Sequence, residues 1–222
     1  MPRVSADYYE KKRKEIIAAA YRVCVRKPIT SVVMKDVIDE TGFSHGVVYK
    51  YYKDLDDVLC DLVVTINSEN KMDEKLDAIL LDANKKEWQE VIREICNMLS
   101  EHMKTTKMDV LKISLYSDML AMSDPDRVSR IADRIGEDNQ SPLLIVVTSM
   151  YGYLLRLIHD KKLQPLKSVD EIIEFMIASY HGIQTGYVLS ASYDANQLRG
   201  KYDPGKMFSC LAESIILMIG GN

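Results

Sequence analysis

The sequence predicts an all-α protein with a small N-terminal helical domain and a larger helical domain after it. Apolar residues recur at three- and four-residue spacing along almost the whole chain, which is the period of an amphipathic helix. No run of β-branched residues alternates with polar ones, as a half-buried strand would require. Glycine and proline fall at a few points, where they separate one periodic segment from the next.

The first three helices are predicted at residues 7–26, 33–40 and 44–51. Pro28 ends the first, because proline disfavours helical geometry in the residue before it. Thr30 or Ser31 is expected to cap the second helix, and Gly42 to end it in a left-handed conformation. Ser44 is then available to cap the third. The buried side of the first helix is expected to consist of Ile16, Ile17, Ala20, Val23 and Cys24.

Further helices are expected at about residues 54–81, 85–104, 107–122, 124–137, 142–161, 168–194 and 203–219. Pro125 and Pro142 follow Asp124 and Ser141, and proline is tolerated in the first turn of a helix. The longest turn-rich connection is the segment 192–206. The predicted domains are residues 1–53 and residues 54–222.

Composition excludes several classes of protein. No run of apolar residues approaches the length that a transmembrane helix needs, and the N-terminus lacks the apolar core of a signal peptide, so we expect a cytoplasmic protein. The four cysteines share no metal-ligand spacing and are expected to be reduced, mostly buried thiols. No phosphate-binding loop and no nucleophile–base pattern is recognisable, so neither an enzyme, nor a metal, nor a cofactor is expected.

The net charge of −4 hides an uneven distribution. Residues 1–53 contain 11 Lys/Arg and 6 Asp/Glu, a net charge of +5, and the remaining residues contain 18 Lys/Arg and 27 Asp/Glu, a net charge of −9. Such asymmetry indicates an anionic partner for the basic segment, of which nucleic acid is one kind. A lysine-rich first helix that is simply solvated on one side is the alternative.

The second and third predicted helices form a helix-turn-helix pattern through Gly42. In that motif the second helix enters the DNA major groove, and its first residues reach base edges. Val37 and Phe43 are expected to hold the two helices together. Short polar side chains at the start of the third helix, Ser44 and His45, suit contacts with phosphates or bases.

The joined pattern resembles the TetR family of bacterial transcription regulators. The resemblance covers residues 13–59 and is carried by Ile16-Ile17, Ala19-Ala20, Asp36-Val37-Ile38, Gly42-Phe43-Ser44, Gly46, Tyr49 and Tyr51-Tyr52. Cys24 and Pro28 stand where the family usually has phenylalanine and glycine. At the start of the fourth helix Leu55 replaces a lysine that family members often carry, and Lys53 is expected to make the phosphate contact in its place.

The resemblance implies a homodimer that presents two recognition helices to a nearly palindromic operator in double-stranded DNA. Non-specific affinity is expected from the basic first helix together with Lys35, Lys50 and Lys53. Sequence preference is expected from His45, Val47 and Tyr49. For Tyr49 the alternative is core packing between helices, and Tyr51 could serve either face. The expected DNA-binding residues are Lys35, Ser44, His45, Gly46, Val47, Tyr49, Lys50 and Lys53.

The larger segment, residues 54–222, holds ten of the twelve methionines and the single tryptophan. Methionine suits both irregular cores and adaptable pockets, and the family resemblance favours a pocket for a small-molecule effector. The residues expected to bind it are Trp88, Tyr116, Met119, Met150, Tyr151 and His181. Ordinary helical core is the alternative for each of them.

The last two helices place small residues among large apolar ones, and this pattern favours a dimer interface of four helices, two from each chain. The family resemblance implies the same arrangement, and a monomer with a deep core is the alternative. The expected interface residues are Ala178, Gly182, Gly186, Leu189, Phe208, Leu211 and Ile215.

The sequence therefore predicts a DNA-binding regulator, with repression as the commoner outcome for the family and release by an effector of unknown identity. The second hypothesis is an interaction protein or coactivator that keeps this fold but docks a protein partner. The basic N-terminal segment with Lys50 and Lys53 favours DNA over docking.

Overall fold

A computed structural model describes residues 6–69, 72–136, 139, 141–161, 163–192 and 202–220. The regular secondary structure in these residues is helical throughout, as predicted. The α-helices are α1 (Ala6–Arg26), α2 (Met34–Thr41), α3 (His45–Val48), α4 (Leu55–Ser68), α5 (Met72–Leu81), α6 (Trp88–Thr105), α7 (Met108–Ser123), α8 (Pro125–Ile135), α9 (Pro142–Lys161), α10 (Val169–Ser192) and α11 (Pro204–Ile219). Two 3-10 turns, Ile29–Ser31 and Ala83–Lys85, precede α2 and α6.

Most helix ends lie where glycine, proline and capping residues predict them. Gly42 ends α2 with a φ of 69°, a left-handed conformation that glycine adopts without a steric penalty. The side chain of Asp124 accepts a hydrogen bond from the Arg127 N–H at 3.0 Å and so caps α8, which has proline in its first turn. The connection predicted at residues 192–206 lies largely outside the described residues.

The cap predicted for α2 is wrong. Thr30 and Ser31 lie in the first 3-10 turn, and Val33 occupies the N-cap position. The Asp36 carboxylate accepts a hydrogen bond from the Val33 N–H at 2.8 Å. It also forms an ion pair with the Lys27 ammonium at 2.6 Å. One carboxylate from inside the helix therefore satisfies the backbone donor that an N-cap residue leaves open.

The single helix predicted at residues 54–81 is two helices, α4 and α5. The hydroxyl of Thr65 donates to the Asp61 carbonyl at 2.7 Å, and that of Ser68 donates to the Thr65 carbonyl at 2.9 Å. Side-chain bonds of this kind compete with the helical hydrogen-bond ladder and lower its preference to continue. Apolar spacing alone did not reveal this break.

The chain forms two compact units that differ from the predicted division at residue 53. The first contains residues 1–69 and 112–140, and the second contains residues 70–111 and 141–222. The first unit extends past residue 53 because α4 packs on α1, α8 packs on α4, and these helices share one apolar core. Residue 53 remains a prediction for the end of the DNA-contacting segment.

The core of the first unit is built around α1. The stripe predicted for this helix is buried, and it packs with buried residues of α2, α3 and α4. Leu120 of α7 and Ile131 of α8 complete the cluster. Full burial of each isoleucine, leucine or valine side chain in this cluster contributes about 1.5–3 kcal/mol.

The second unit is a helical bundle in which α6 packs on α5 and α11, and α10 packs on α9 and α11. Its largest fully buried side chains are Leu76, Ile92, Ile95, Leu99, Met103, Met150, Leu154, Ile172, Met176 and Phe208. Of the helices in the described residues, α9 is long and apolar enough to cross a membrane by length and composition, a test that core helices of soluble proteins also pass.

Cys24, Cys60 and Cys96 are buried, and Cys210 is exposed. Burial raises the pKa of the Cys24 thiol to about 11 and that of the Cys96 thiol to about 12. Both therefore remain protonated at neutral pH and are poor nucleophiles.

Candidate nucleic-acid interface

The turn between α2 and α3 is fixed by its own residues. The Thr41 hydroxyl donates to the Ile38 carbonyl at 2.7 Å and accepts from the Phe43 N–H at 3.0 Å. Gly42 supplies the left-handed residue, and Ser44 is extended at the N-cap position of α3. The helix, glycine-containing turn and helix predicted from the sequence are therefore present. Ser44 makes no side-chain capping bond, so its predicted capping role is wrong.

The third helix is shorter than predicted as a regular α-helix, but its path continues in hydrogen-bonded turns. The Tyr49 N–H donates to the His45 carbonyl at 3.0 Å, and the Tyr52 N–H donates to the Val48 carbonyl at 3.1 Å. The recognition segment, which we define as residues 44–52, is thus a short helix followed by turns. Its apolar anchors are Val48 and Tyr52, both buried.

The outer surface of the recognition segment consists of residues that the sequence predicted for DNA contact. The exposed ones are Ser44, His45, Gly46, Tyr49 and Lys50. Val47 is half-buried, while Lys35 on α2 and Lys53 after the segment are exposed. The side chain of Tyr49 is 51% exposed and its ring stacks on that of His45 with centroids 6.5 Å apart, so the core-packing alternative for Tyr49 is wrong.

The lysines of this surface differ from most basic residues of α1. Lys35, Lys50 and Lys53 make no ion pair with any described residue, so their ammonium groups face solvent. Several basic side chains of α1 and of the turn after it are instead paired inside the first unit: Lys12 with Glu15, Arg13 with Asp61, Arg22 and Arg26 with Glu40, and Lys27 with Asp36. The first helix therefore offers fewer free charges than its composition predicted.

The first turns of α1 support the end of the recognition segment. The Tyr9 hydroxyl donates to the Lys50 carbonyl at 3.1 Å, and its ring lies 4.4 Å from that of Tyr51 between centroids. The Lys12 ammonium lies 4.1 Å from the centroid of the Phe43 ring. Tyr51, which the sequence left unplaced, is thus half-buried against Tyr9.

A second support comes from α4. The hydroxyl of buried Tyr52 donates to the Asp61 carboxylate at 2.7 Å, and the same carboxylate pairs with Arg13. Burial, followed by this hydrogen bond, raises the pKa of Tyr52 well above its usual value. The sequence did not predict these roles for Asp61 and Arg13, because residue pairs 9 and 48 positions apart leave no periodic signal.

The residues predicted to bind an effector do not share one compact unit. Tyr116 and Met119 belong to the first unit, where Tyr116 packs against the core and Met119 is exposed. The other four lie in the second unit: Trp88 and Met150 are buried, Tyr151 is exposed, and His181 is partly exposed with its ring edge-on to Tyr180. Their assignment to an effector stays a prediction.

A surface groove of about 570 Å³ lies in the second unit. It is lined by residues of α6 and α11 and the residue before α6, namely Glu87, Gln89, Glu90, Arg93, Glu213, Ile216 and Leu217. Two of these lining residues, Arg93 and Glu213, form an ion pair at 2.7 Å. None of the predicted effector residues lines this groove. Among the described residues no group of three or more His, Cys, Asp or Glu side chains could hold a metal ion.

Three of the predicted dimer-interface residues are in the core of the single chain. Phe208, Leu211 and Ile215 are buried by the packing of α11 on α6 and α10, so they cannot form a surface contact. Ala178, Gly182 and Leu189 are exposed on α10, as an interface requires. We define the outer stripes as the exposed, mainly apolar residues of these two helices: Phe175, Ala178, Gly182 and Leu189 on α10, and Met207, Cys210 and Leu217 on α11.

Gly186 also has a role within the chain. A Cβ atom at this position would lie 2.7 Å from the ring of Tyr202, which packs over the glycine. Gly186→Ala is therefore expected to leave the free energy of unfolding nearly unchanged in the wild-type chain, because displacing the far end of the Tyr202 side chain offsets the helix preference of alanine. In a Tyr202→Ala chain the same change should be stabilising, because alanine favours a helix over glycine by about 1 kcal/mol. Urea denaturation of the four proteins measures this coupling, and additive effects would contradict the contact.

Comparison of the sequence with known proteins gives a partial match. No family model matches the chain. An uncharacterized HTH-type transcriptional regulator of Bacillus subtilis, YfiR, is 36% identical over 64 residues, which span 29% of this chain and 31% of the relative. The chain thus matches less than a third of that relative's length.

Solved structures match along nearly the whole chain. The fatty acid degradation regulator FadR of Bacillus halodurans aligns with a TM-score of 0.62 and 15% identity, covering 95% of this chain and 97% of the other. A bacterial regulatory protein in the TetR family from Rhodococcus RHA1 aligns with a TM-score of 0.58 and 15% identity over 95% and 97%. The regulator FadR of Bacillus subtilis in complex with stearoyl-CoA aligns with a TM-score of 0.55 and 17% identity over 94% and 98%. The chain therefore has the fold of the TetR-family regulators.

Proposed function

We propose that this chain is a TetR-type transcriptional regulator that binds a nearly palindromic operator as a homodimer. The observation that carries the proposal is the exposed surface of the recognition segment, where His45, Tyr49 and Lys50 follow the Gly42 turn and face solvent. A helix-turn-helix presents such a surface to the major groove. The fold is that of TetR-family regulators, and the match to YfiR is to a protein named as a helix-turn-helix regulator.

The charges of the surface support DNA as the partner. Lys35, Lys50 and Lys53 are exposed and form no ion pair within the described part of the chain, so each can approach a phosphate without first breaking such a pair. We propose that His45 and Tyr49 reach base edges, since both are exposed on the recognition segment and a ring nitrogen of His45 can donate to a guanine acceptor. In the dimer, two such surfaces would need a spacing of about 34–36 Å to reach successive turns of the major groove.

Dimerisation is proposed through the outer stripes of α10 and α11. These stripes leave Phe175, Leu189 and Leu217 in solvent in the single chain, and Leu217 is 58% exposed. Small residues between them, Ala178 and Gly182, let helices approach closely. Two helices from each chain would then form a four-helix contact.

An effector is proposed to bind in the second unit and to release the operator by favouring a different arrangement of the dimer. The B. subtilis FadR structure holds stearoyl-CoA, which makes long-chain acyl-CoA thioesters the first class of compound to test. We propose repression as the outcome of DNA binding and the cytoplasm as the place where it occurs.

The test is a titration of the protein against the intergenic DNA upstream of its own gene and against shuffled DNA, at two salt concentrations. We expect specific binding that survives moderate salt and is tighter by a factor of about 10³ or more. Tyr49→Ala should reduce specific binding by about tenfold, the equivalent of about 1.4 kcal/mol, and leave the dimer intact. Equal affinity for the two DNAs, lost at moderate salt, would overturn the proposal and favour a protein-docking role.

A further inference from the structure

The start of α4 is held by a reciprocal cap that includes the backbone of Lys53. An Asp54 carboxylate oxygen accepts from the Asp57 N–H at 2.9 Å, and an Asp57 carboxylate oxygen accepts from the Lys53 N–H at 3.1 Å. Two backbone donors at the end of the recognition segment are therefore satisfied by two carboxylates. The position of Lys53 depends directly on this cap.

Arg134 of α8 joins the two carboxylates of the cap. One of its guanidinium nitrogens, Nη1, donates to Asp54 at 3.0 Å and to Asp57 at 2.9 Å. The planar, multidentate guanidinium is suited to bridging two acceptors in a fixed geometry. Arg134, 80 positions from Asp54 in the sequence, therefore stabilises the cap of α4.

Two more contacts fix α8 on α4. Arg127 pairs with Asp56 at 2.7 Å, and both side chains are only 18% exposed. Between the two arginines, Ile131 is buried in the shared core, where its carbonyl lies 3.7 Å from the Cys60 sulfur. The guanidinium of Arg134 therefore arrives at the cap from a helix that is itself held in place.

The charges around Lys53 explain why this bridge matters for a phosphate contact. Asp54 and Asp57 place two carboxylates near Lys53 in the sequence, and the exposed ammonium group of this lysine forms no ion pair with a described residue. The charge of Lys53 already acts on Asp54 alongside that of Arg134, so without Arg134 its ammonium would remain as a cation beside these like-charged groups. A lysine paired with them would have to break that pair before it could reach a phosphate.

We infer that Arg134 is a positioning residue for DNA binding: it occupies the carboxylates of Asp54 and Asp57 and so leaves Lys53 free to contact a phosphate. The inference rests on the proposed function. It assigns α8, which the sequence placed in the effector-binding domain, a part in the DNA interface. It also accounts for the acidic start of α4, where the resembled family often carries a lysine and this chain has Leu55 between Asp54 and Asp56.

The experiment compares Arg134→Gln with Arg130→Gln in the full-length dimer. Arg130 lies on the same helix, is exposed and makes no ion pair with a described residue, so both variants lose one positive charge of α8. Affinity for the upstream DNA is measured across a salt series. We expect Arg134→Gln to bind about tenfold more weakly than Arg130→Gln, and to reduce the salt slope by about one phosphate contact.

A double-variant comparison separates positioning from loss of charge. Lys53→Gln should cause the same loss of affinity and of salt slope, and Lys53→Gln combined with Arg134→Gln should be no weaker than Lys53→Gln alone. With Arg130→Gln the effects should add. Arg134→Lys keeps the charge but replaces the rigid guanidinium by an ammonium on a flexible stem, so an affinity between wild type and Arg134→Gln is expected.

Either of two results would overturn the inference while the proposed function stands: Arg134→Gln binding like Arg130→Gln, or full additivity with Lys53→Gln. Thermal unfolding of each variant checks the fold, and if Arg134→Gln is unfolded, Arg134→Lys carries the same comparison. A wild-type protein that does not distinguish operator from shuffled DNA would overturn the proposed function and this inference together.

Discussion

Gly182→Arg is expected to convert the proposed dimer into monomers and to reduce operator affinity by a factor of about 10²–10⁴. Among the described residues nothing lies within 4 Å of a Cβ atom at this position, and the position is exposed, so a long side chain can extend into solvent in the monomer. Replacing a helical glycine also favours the helix by about 1 kcal/mol. In a helix–helix contact, however, a long charged side chain would hold two backbones apart. Each half-site would then be bound by a single chain.

Sedimentation or light scattering measures the oligomeric state, and DNA titration measures the loss of affinity. Gly182→Ala is the matched control, because it keeps a small residue and is expected to remain dimeric with nearly unchanged operator binding. A Gly182→Arg protein that remains dimeric at the same concentration would place the interface elsewhere on the surface. A monomer that still bound the full operator with wild-type affinity would contradict the dimeric mode of DNA recognition.

The local part of the candidate site could be predicted from the sequence, because it is encoded by neighbouring residues. Gly42 specifies the left-handed turn, and Val37 and Phe43, which the sequence assigned to the contact between α2 and α3, are buried and half-buried. The helix-turn-helix motif then places His45 at the start of α3, and the family resemblance points to Tyr49 as a contact residue. Both side chains are exposed in the structure.

The supports of that surface could not be predicted, because they join distant parts of the chain. Asp61 binds Tyr52 by a hydrogen bond and Arg13 by an ion pair, and Arg134 forms ion pairs with the cap of α4. No short-range sequence pattern predicts these pairs. A charge run in a sequence does not say which charges will pair. For the same reason the composition of α1 overstated its free positive charge.

The predicted dimer-interface residues show a second kind of information that the sequence lacks. Apolar spacing on α11 identifies two kinds of position, but it does not say whether the same chain or a second chain covers them. In the structure α6 and α10 cover Phe208, Leu211 and Ile215, while Met207 and Leu217 stay in solvent. On α11 the sequence therefore predicted residues of the face that the chain itself buries, and the exposed faces of α10 and α11 stay a prediction for the interface.

The buried face of α11 is expected to contribute strongly to the stability of the chain. Phe208→Ala is expected to lower the free energy of unfolding by about 3–5 kcal/mol, because the side chain is 0% exposed and packs beside the Tyr180 ring, with centroids 6.1 Å apart. A loss of this size is a large share of the 5–15 kcal/mol that is typical of folded proteins at about room temperature. Urea denaturation at a fixed protein concentration measures it.

Met207→Ala is the matched control on the adjacent residue. Its side chain is 38% exposed in the single chain, so truncation should change the unfolding of the monomer by less than about 1 kcal/mol and should instead weaken the dimer. The two neighbouring substitutions are therefore expected to differ in effect: Phe208→Ala lowers the stability of the chain, and Met207→Ala weakens the dimer. If Phe208→Ala weakened the dimer and left the monomer as stable as wild type, Phe208 would belong to the interface, and the packing of α11 on α6 and α10 would be wrong.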